Sequence, residues 1–307
     1  MELVKKELTG TEFLKSSIGN TPLFRLRNIY PSKTVGIYAK LEWMQIGGSI
    51  KARPAFNIIH QALQEGLLGN GKVLLDASSG NTAIAYAAIG ASLNIPVTIC
   101  LPENASTERQ AMLQAFGAQL IYTSKFGGTD EAQLKAKEIY KQDPSSFYYA
   151  DQYNNPHNWR AHYNTTAEEI YRQTAGKLTH LVVGIGTSGT AMGTTRRLRE
   201  LKPSIKVITL QPQYALHNLE GWKHMETAIQ PGIYDPDLAD DNLDIDGEKA
   251  LGLIKQVAEQ EGLLLSPSAA GNLLGAIKIA DQLSEGVVVT VFPDSAENYS
   301  EVMKSVL

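Results

Sequence analysis

The sequence has little of what several large protein classes require. Its 307 residues hold one cysteine, Cys100, so a disulfide framework within the chain is excluded and a reducing, cytoplasmic setting is expected. A lone cysteine ending the apolar run 96–100 reads as core, not as a nucleophile. There is no block of Lys or Arg, and a net charge of −4 gives no reason to expect nucleic acid. The longest apolar runs, such as residues 287–292, are strand-sized and too short to cross a bilayer, so no membrane partner is expected. Residues 1–6 lack the apolar stretch of a signal peptide. The six histidines show no metal-ligand spacing, with His157 and His162 five apart and His217 and His224 seven apart, and no metal site is expected. No repeat at a solenoid period and no low-complexity tract is present. What remains, 43% hydrophobic and 20% charged residues, is the balance of a globular chain long enough for one large domain or two ordinary ones.

From residue 35 onward apolar strand-like runs alternate with helix-period segments. Strands are expected over 35–42, 72–77, 97–101, 119–123, 147–150, 178–184, 206–210, 262–265 and 287–293, and an extended piece follows a turn at 19–24. Helices are expected from Lys51, then over 81–93, 107–116, 130–142, 163–173, 190–201, 247–261, 269–283 and 299–307, with an irregular section over 212–246. Strands rich in Val, Ile and Leu that alternate with helices imply parallel sheets covered on both faces. A loop with asparagines and a proline at 152–158 reads as a domain change. The expectation is an α/β fold of two open, mostly parallel sheet domains. The smaller spans 36–150, and the larger combines 13–35 with 151–307. Ligands of such sheets bind beyond the carboxyl ends of the strands, in a cleft, so the informative loops are those that follow strands.

Four short stretches carry chemistry. In Gly47-Gly48-Ser49-Ile50-Lys51-Ala52-Arg53-Pro54 a glycine pair precedes a lysine at a helix start, with Ser49 as a candidate N-cap. The helix dipole opposes an ammonium there and relatively favours the neutral amine, the form that condenses with a carbonyl. Taken alone, a solvated lysine is the plainer reading. In Ser78-Ser79-Gly80-Asn81-Thr82, hydroxyls, an amide and a glycine at a helix start form an anion cradle, more than capping needs. Gly184-Ile185-Gly186-Thr187-Ser188-Gly189-Thr190 matches the G-x-G-x-x-G dinucleotide fingerprint, but the following strand ends Leu210-Gln211-Pro212 without the acidic residue that reading requires. No Gly-Lys-Ser/Thr follows either, which excludes a P-loop, so the stretch reads as a phosphate cup. The last is Ser266-Pro267-Ser268-Ala269-Ala270-Gly271, which alone reads as a capping serine before an alanine-rich helix. One ligand accounts for all four: pyridoxal phosphate holding an amino acid, with an aldehyde for Lys51, a monophosphate for 186–190, a ring for Ser268 and a carboxylate for 78–82.

The chain resembles the cysteine synthase and cystathionine β-synthase family, fold type II pyridoxal-phosphate enzymes related to the tryptophan synthase β-subunit. The resemblance is carried by Gly19-Asn20-Thr21-Pro22-Leu23, Gly48-Ser49-Ile50-Lys51 with Arg53-Pro54-Ala55, Ser79-Gly80-Asn81-Thr82, Leu101-Pro102-Glu103-Asn104, Phe116-Gly117-Ala118, Gln152-Tyr153 with Asn155-Pro156, and Gly186-Thr187-Ser188-Gly189-Thr190. It implies that Lys51 bonds the cofactor aldehyde and later serves as acid and base. Asn81 meets the ring hydroxyl, and Ser78, Ser79, Thr82 and Gln152 hold the substrate carboxylate. Gly186, Thr187, Ser188, Gly189 and Thr190 bind the phosphate. Ser268 faces the ring nitrogen, where a hydroxyl keeps the nitrogen essentially unprotonated and favours loss of a β-leaving group.

The implied reaction is β-replacement on an O-activated serine, giving cysteine from O-acetylserine or O-phosphoserine and sulfide. Another thiol or amine nucleophile, or a serine/threonine dehydratase reaction, is the alternative. A homodimer is the family expectation. The chain departs from the family pattern at Met44-Gln45-Ile46-Gly47, Ala52, Ser78 and Ser266-Pro267. The glycine-rich segment common near the substrate is replaced by Leu219-Glu220-Gly221-Trp222-Lys223-His224-Met225, where Lys223 and His224 meet a phosphate leaving group or form a solvated edge.

Overall fold

The computed structural model of the chain describes residues 9–306; the leader-free reading of residues 1–6 and the end of the last expected helix at 307 lie outside them. In chain order the elements begin α1 (Gly10–Ser17), β1 (Leu23–Leu26), β2 (Val35–Leu41), α2 (Ala52–Gln64), β3 (Val73–Ala77), α3 (Asn81–Leu93), β4 (Val97–Pro102), α4 (Thr107–Ala115), β5 (Gln119–Thr123), α5 (Gly128–Gln142) and β6 (Phe147–Tyr149). They continue α6 (Pro156–Asn164), α7 (Thr166–Gln173), β7 (His180–Gly184), α8 (Gly189–Leu201), β8 (Lys206–Pro212), β9 (Asp241–Ile245), α9 (Gly247–Glu261), α10 (Pro267–Ala280), β10 (Gly286–Phe292) and α11 (Ser300–Val306). Among the described residues no helix is long and apolar enough to cross a membrane.

The chain divides into two compact units. The first takes the described residues up to Gly19, Gln45–Gly47 and Lys51–Ala150; the second takes Asn20–Met44, Gly48–Ile50 and the chain from Asp151 on. The first unit holds a four-stranded sheet in the order β5-β4-β3-β6, every pairing parallel. Its core is set by α3, whose residues from Thr82 to Gly90 are all buried. A helix apolar all round belongs inside a domain, and the small side chains of Ala83, Ala85, Ala87 and Ala88 let it pack closely. From β3 the strands run outward to β4 and β5, and the chain then returns to place β6 on the other side of β3. Direction therefore reverses between β3 and β6, the position where loops after strands open a crevice. Residues 78–82 follow β3.

The second unit holds a six-stranded sheet in the order β1-β2-β10-β7-β8-β9, parallel except for the antiparallel β1. Its reversal falls between β7 and β10, so residues 185–190 after β7 and Asp294 after β10 lie at the corresponding crevice. The β1 hairpin is anchored by a buried group: Lys40 Nζ donates to Glu169 Oε2 and to Thr21 Oγ1, both at 2.6 Å, and Asn20 N donates to Glu169 Oε1 at 2.9 Å. A buried pair of this kind is costly to break from one side, about 3–5 kcal/mol, because the remaining charge is left without its partner.

The structure corrects several expectations. Strand β2 belongs to the second unit, not to a 36–150 domain, because all seven of its residues pair in parallel register with β10 from Gly286 to Phe292. Helix α1 belongs to the first unit, not to the larger one. Residues 262–265 form no strand: Gly262 caps α9 with φ +70°, and only Leu265 makes a single bridge, to Ser295. Strand β9 lies inside the section expected to be irregular; it is a polar edge strand, whose aspartates guard the edge at the expense of a recognisable apolar pattern. The helix expected over 163–173 is two helices, α6 and α7, broken at Thr165 where φ is −126° and ψ −69°.

Candidate active site

In the first unit Lys51 stands at the N-cap position of α2 with helical dihedrals of −71° and −15° and no capping side-chain bond. Gly47 and Gly48 precede it with φ of +73° and +63°, a left-handed pair that a side chain adopts only with strain. Ser49, expected as the cap, is instead fully buried and bridges Asp294 in the second unit's stretch 48–50. The lysine therefore sits at the head of the helix, where the dipole disfavours its ammonium form.

The loop after β3 also departs from simple capping. The N-cap of α3 is Gly80, which has no side chain to offer, so neither Ser79 nor Asn81 fills that role. Ser78 is buried; its N–H donates to Cys100 O at 3.1 Å and its Oγ accepts from Gly80 N at 3.2 Å. Asn81 and Thr82 form the first turn of α3, and Thr82 is buried. The first-turn N–H groups of a helix have no intrahelical acceptor, so loop and helix start together offer an anion site.

In the second unit the loop after β7 is held from both sides. Gly184 N donates to Asn272 Oδ1 on α10 at 2.7 Å, and Ile185 N donates to Leu210 O at 3.0 Å. Ser188 is the N-cap residue of α8 and takes φ +67°. A non-glycine residue in that region costs of order 1–3 kcal/mol and typically persists where it arranges a functional loop. Alternation of left- and right-handed residues turns successive N–H groups into one concavity. Gln152 is buried, and its carbonyl accepts from Asn158 Nδ2 at 2.7 Å; the same Nδ2 donates to Thr187 Oγ1 at 3.1 Å. Thr190 Oγ1 lies 3.4 Å from His162 Nε2. Ser268 is the second residue of α10, buried, while the capping serine is Ser266, whose Oγ accepts from Ala269 N at 3.2 Å. Ser268 Oγ lies 3.2 Å from Ser266 Oγ and donates to Asp294 Oδ1 at 3.4 Å, and Tyr299 donates to the other oxygen of that carboxylate at 2.5 Å.

Residues 219–225 are mixed: Glu220 and Gly221 are exposed, and Lys223 and His224 are half-buried. Leu219 and Trp222 belong to the second unit's core. Lys223 N donates to Ile185 O at 2.9 Å, and the Lys223 Nζ lies 5.0 Å from the centre of the Tyr153 ring. A Cβ on Gly184 would come within 2.1 Å of the Trp222 indole, and one on Gly186 within 2.1 Å of Gly221 O. The segment thus packs on the back of the 184–190 loop, with Lys223 beside the residue that follows Gln152. Among the described residues no cluster of three or more His, Cys, Asp or Glu is arranged to hold a metal. Cys100 is buried; desolvation and then Asp76, opposed by Lys135, push its thiol up to about 11, well outside the range of a reactive thiolate.

The sequence profile of pyridoxal-phosphate dependent enzymes matches residues 14–294. The chain belongs to this family. Among its relatives a cysteine synthase of Aquifex aeolicus is 44% identical over 295 residues, covering 94% of this chain and 90% of that protein. An O-acetylserine dependent cystathionine beta-synthase of Bacillus subtilis is 35% identical over 288 residues, covering 92% and 94%. The crystal structure of a cysteine synthase from Entamoeba histolytica matches with a TM-score of 0.90 at 30% identity, over 99% of this chain and 93% of that one.

The residues present fit the family's cofactor. Ser188 Oγ is a buried hydroxyl with no hydrogen-bond partner, which a native protein rarely leaves unspent, and it stands in the loop whose hydroxyls and first-turn N–H groups suit a phosphate monoester. Of the expected site residues, Lys51, Ser78, Ser79, Asn81 and Thr82 lie in the first unit, and Gln152, residues 186–190 and Ser268 in the second. Two neighbours of these residues escaped the sequence reading. Asn158 carried a usable signal, since Asn155-Pro156 is a cap-and-proline helix start that would have put Asn158 in a first turn. Asp294 carried none, because its partner Ser268 is distant in the chain.

Proposed function

We propose that the protein catalyses β-replacement on an O-activated serine, forming cysteine from O-acetylserine or O-phosphoserine and sulfide. The observation that carries the reading is the loop after β7, with its unspent buried hydroxyl at Ser188, in a chain that also places a lysine at a helix head behind a left-handed glycine pair. The cysteine synthase relatives support it. When bound, pyridoxal phosphate supplies an aldehyde that takes up an amine and an electron sink that acidifies the α-carbon of an amino acid.

The chain's own residues divide the remaining work. With the cofactor bound, Lys51 Nζ would hold its aldehyde and would carry the proton of the substrate α-carbon. Asn81 meets the ring hydroxyl. Ser78, Ser79, Thr82 and Gln152 hold the substrate carboxylate. Gly186 through Thr190 hold the phosphate. Ser268 faces the ring nitrogen with a neutral hydroxyl, which limits the electron sink and favours departure of a β-substituent.

A second nucleophile class is favoured by one observation. Lys223 places a cation over Tyr153, next to Gln152, and a cation there suits either a phosphate leaving group or a carboxylate-bearing thiol such as homocysteine. We place the enzyme in the cytoplasm as a homodimer, to be checked by light scattering. The deciding experiment is mass spectrometry of products from O-acetylserine and from O-phosphoserine, each with sulfide and with homocysteine, alongside the visible spectrum of the purified protein. Yellow protein yielding cysteine supports the reading. Release of pyruvate and ammonia irrespective of nucleophile replaces it with a dehydratase, and protein that binds no pyridoxal phosphate removes it.

A further inference from the structure

We propose that Asn158 is a positioning residue that presents the Thr187 hydroxyl proton to the cofactor phosphate while fixing the backbone that carries Gln152. The inference rests on the reading of residues 186–190 as the phosphate site. Asn158 lies in the first turn of α6, 2% exposed. Its Nδ2 has two protons, and both are used: one goes to Gln152 O at 2.7 Å, the other to Thr187 Oγ1 at 3.1 Å. Gly189 N also points at Thr187 Oγ1, at 3.5 Å. A hydroxyl has two acceptor sites and one proton. With Asn158 and Gly189 on the acceptor side, the Thr187 proton is directed away from both, toward an anion held by the loop.

The amide works in only one orientation. Turned over, it would set Oδ1 against the Gln152 carbonyl oxygen and leave nothing to donate to Thr187. In the observed orientation Oδ1 is buried without a hydrogen-bond partner and lies against Gly189, where a Cβ would fall 1.9 Å from it. That unpartnered oxygen is a cost of the arrangement, and the two donated bonds offset it. A residue needed only for packing would not require an amide whose donor end bridges these two acceptors.

The test uses holoprotein carrying Asn158→Ala, Thr187→Val, both changes together, and Asn158→Asp, which keeps the shape and replaces the donor by an acceptor. Two quantities are read: the dissociation constant for pyridoxal phosphate, and the phosphorus NMR shift of the bound phosphate. Asn158→Ala and Thr187→Val should each weaken cofactor binding about 10-fold, the scale of one hydrogen bond to a charged group. Both should move the phosphorus resonance in the same direction. The double variant should be no weaker than about twice the worse single variant, because both changes remove one interaction. Asn158→Asp should bind more weakly than Asn158→Ala.

Losses that multiply in the double variant, or a folded Asn158→Ala protein with unchanged affinity and phosphorus shift, overturn the proposal. If Asn158→Ala does not fold, a Thr187→Val protein with a wild-type phosphorus shift overturns it just as well. Failure of cysteine synthesis with these affinity changes intact counts against the proposed function and leaves the role of Asn158 standing.

Discussion

Replacing Gly186 by alanine tests the packing of residues 219–225 on the phosphate loop. Gly186 does not take a positive φ, so alanine meets no backbone strain, and restricting the unfolded chain should by itself stabilise by about 0.4–1 kcal/mol. Against this, the new Cβ would lie 2.1 Å from Gly221 O, whereas an unforced carbon–oxygen contact is about 3.3 Å, so loop and segment must part by about 1.2 Å. The obstacle is backbone, held by the bond from Lys223 N to Ile185 O at 2.9 Å and by the buried Trp222, so it cannot swing aside. Overpacking of this kind costs about 1–3 kcal/mol, leaving a net loss of up to about 2.6 kcal/mol and a melting temperature lower by up to roughly 5–10 °C. Displacement of the Gly186 N–H should also weaken pyridoxal phosphate binding about tenfold. Gly252→Ala is the control: it is exposed within α9, and a Cβ there meets nothing within 4 Å, so it should stabilise by about 0.5–1 kcal/mol. Scanning calorimetry and cofactor titration of both proteins read the outcome. If Gly186→Ala matches Gly252→Ala in both, the close approach of Gly221 to the loop is refuted.

Lys51→Ala should abolish any cofactor bond that borohydride can fix to the protein and reduce turnover to background; full turnover would sink the proposed chemistry. Ser268→Asp should protonate the ring nitrogen and slow β-elimination, and an unchanged rate would show that Ser268 is not the ring partner. Lys223→Ala should raise KM for O-phosphoserine and leave KM for O-acetylserine within twofold; equal effects on both would mean that the lysine does not meet the leaving group. His180 and His217 are held below the ordinary histidine range chiefly by burial, with Lys206 and His224 adding to it and Asp240 opposing at His180. Their folded pKa values lie below the unfolded value of about 6.5, so their contribution is present above that pH and lost as pH falls below it. Melting temperature should therefore drop between pH 6.5 and 5, and less so in His217→Gln; a flat profile would contradict it.

The sequence made the regular elements legible where a residue's local neighbours decide its conformation. Buried strands β3, β4, β7 and β10 announce themselves as short runs of Val, Ile and Leu, and α3 as a run of small apolar residues. The lysine stretch and the loops after β3 and β7 were legible for the same reason, since glycine and hydroxyl residues between a strand and a helix have local causes. What escaped depends on distant partners. The membership of β2 is decided by a pairing with β10 some 250 residues later, and the polar edge strand β9 by a neighbour that supplies the missing pattern. Asp294 became visible only once β10 and α10 had brought it to Ser268.

The G-x-G-x-x-G stretch shows how one motif can rest on different causes. In a dinucleotide site its glycines serve a tight turn, the approach of the pyrophosphate and the packing of helix on strand. Here each glycine answers to a protein neighbour. Gly184 leaves room for the Trp222 indole, Gly186 for the Gly221 carbonyl and Gly189 for the Asn158 amide, each of which a Cβ would meet at about 2 Å. Gly271, far along the chain, gives way to the same indole, with a Cβ contact of 2.9 Å. The segment 219–225 and these glycines therefore specify one another: an aromatic residue at 222 demands small residues at 184 and 271. A glycine-rich segment at 219–225, as is common in the family, would relax that demand at 184 but would withdraw the Lys223 bond to Ile185 from its present register. Swapping such a segment into this chain should accordingly loosen the phosphate loop unless Gly184 is enlarged at the same time, and the combined change should recover cofactor affinity that the swap alone loses.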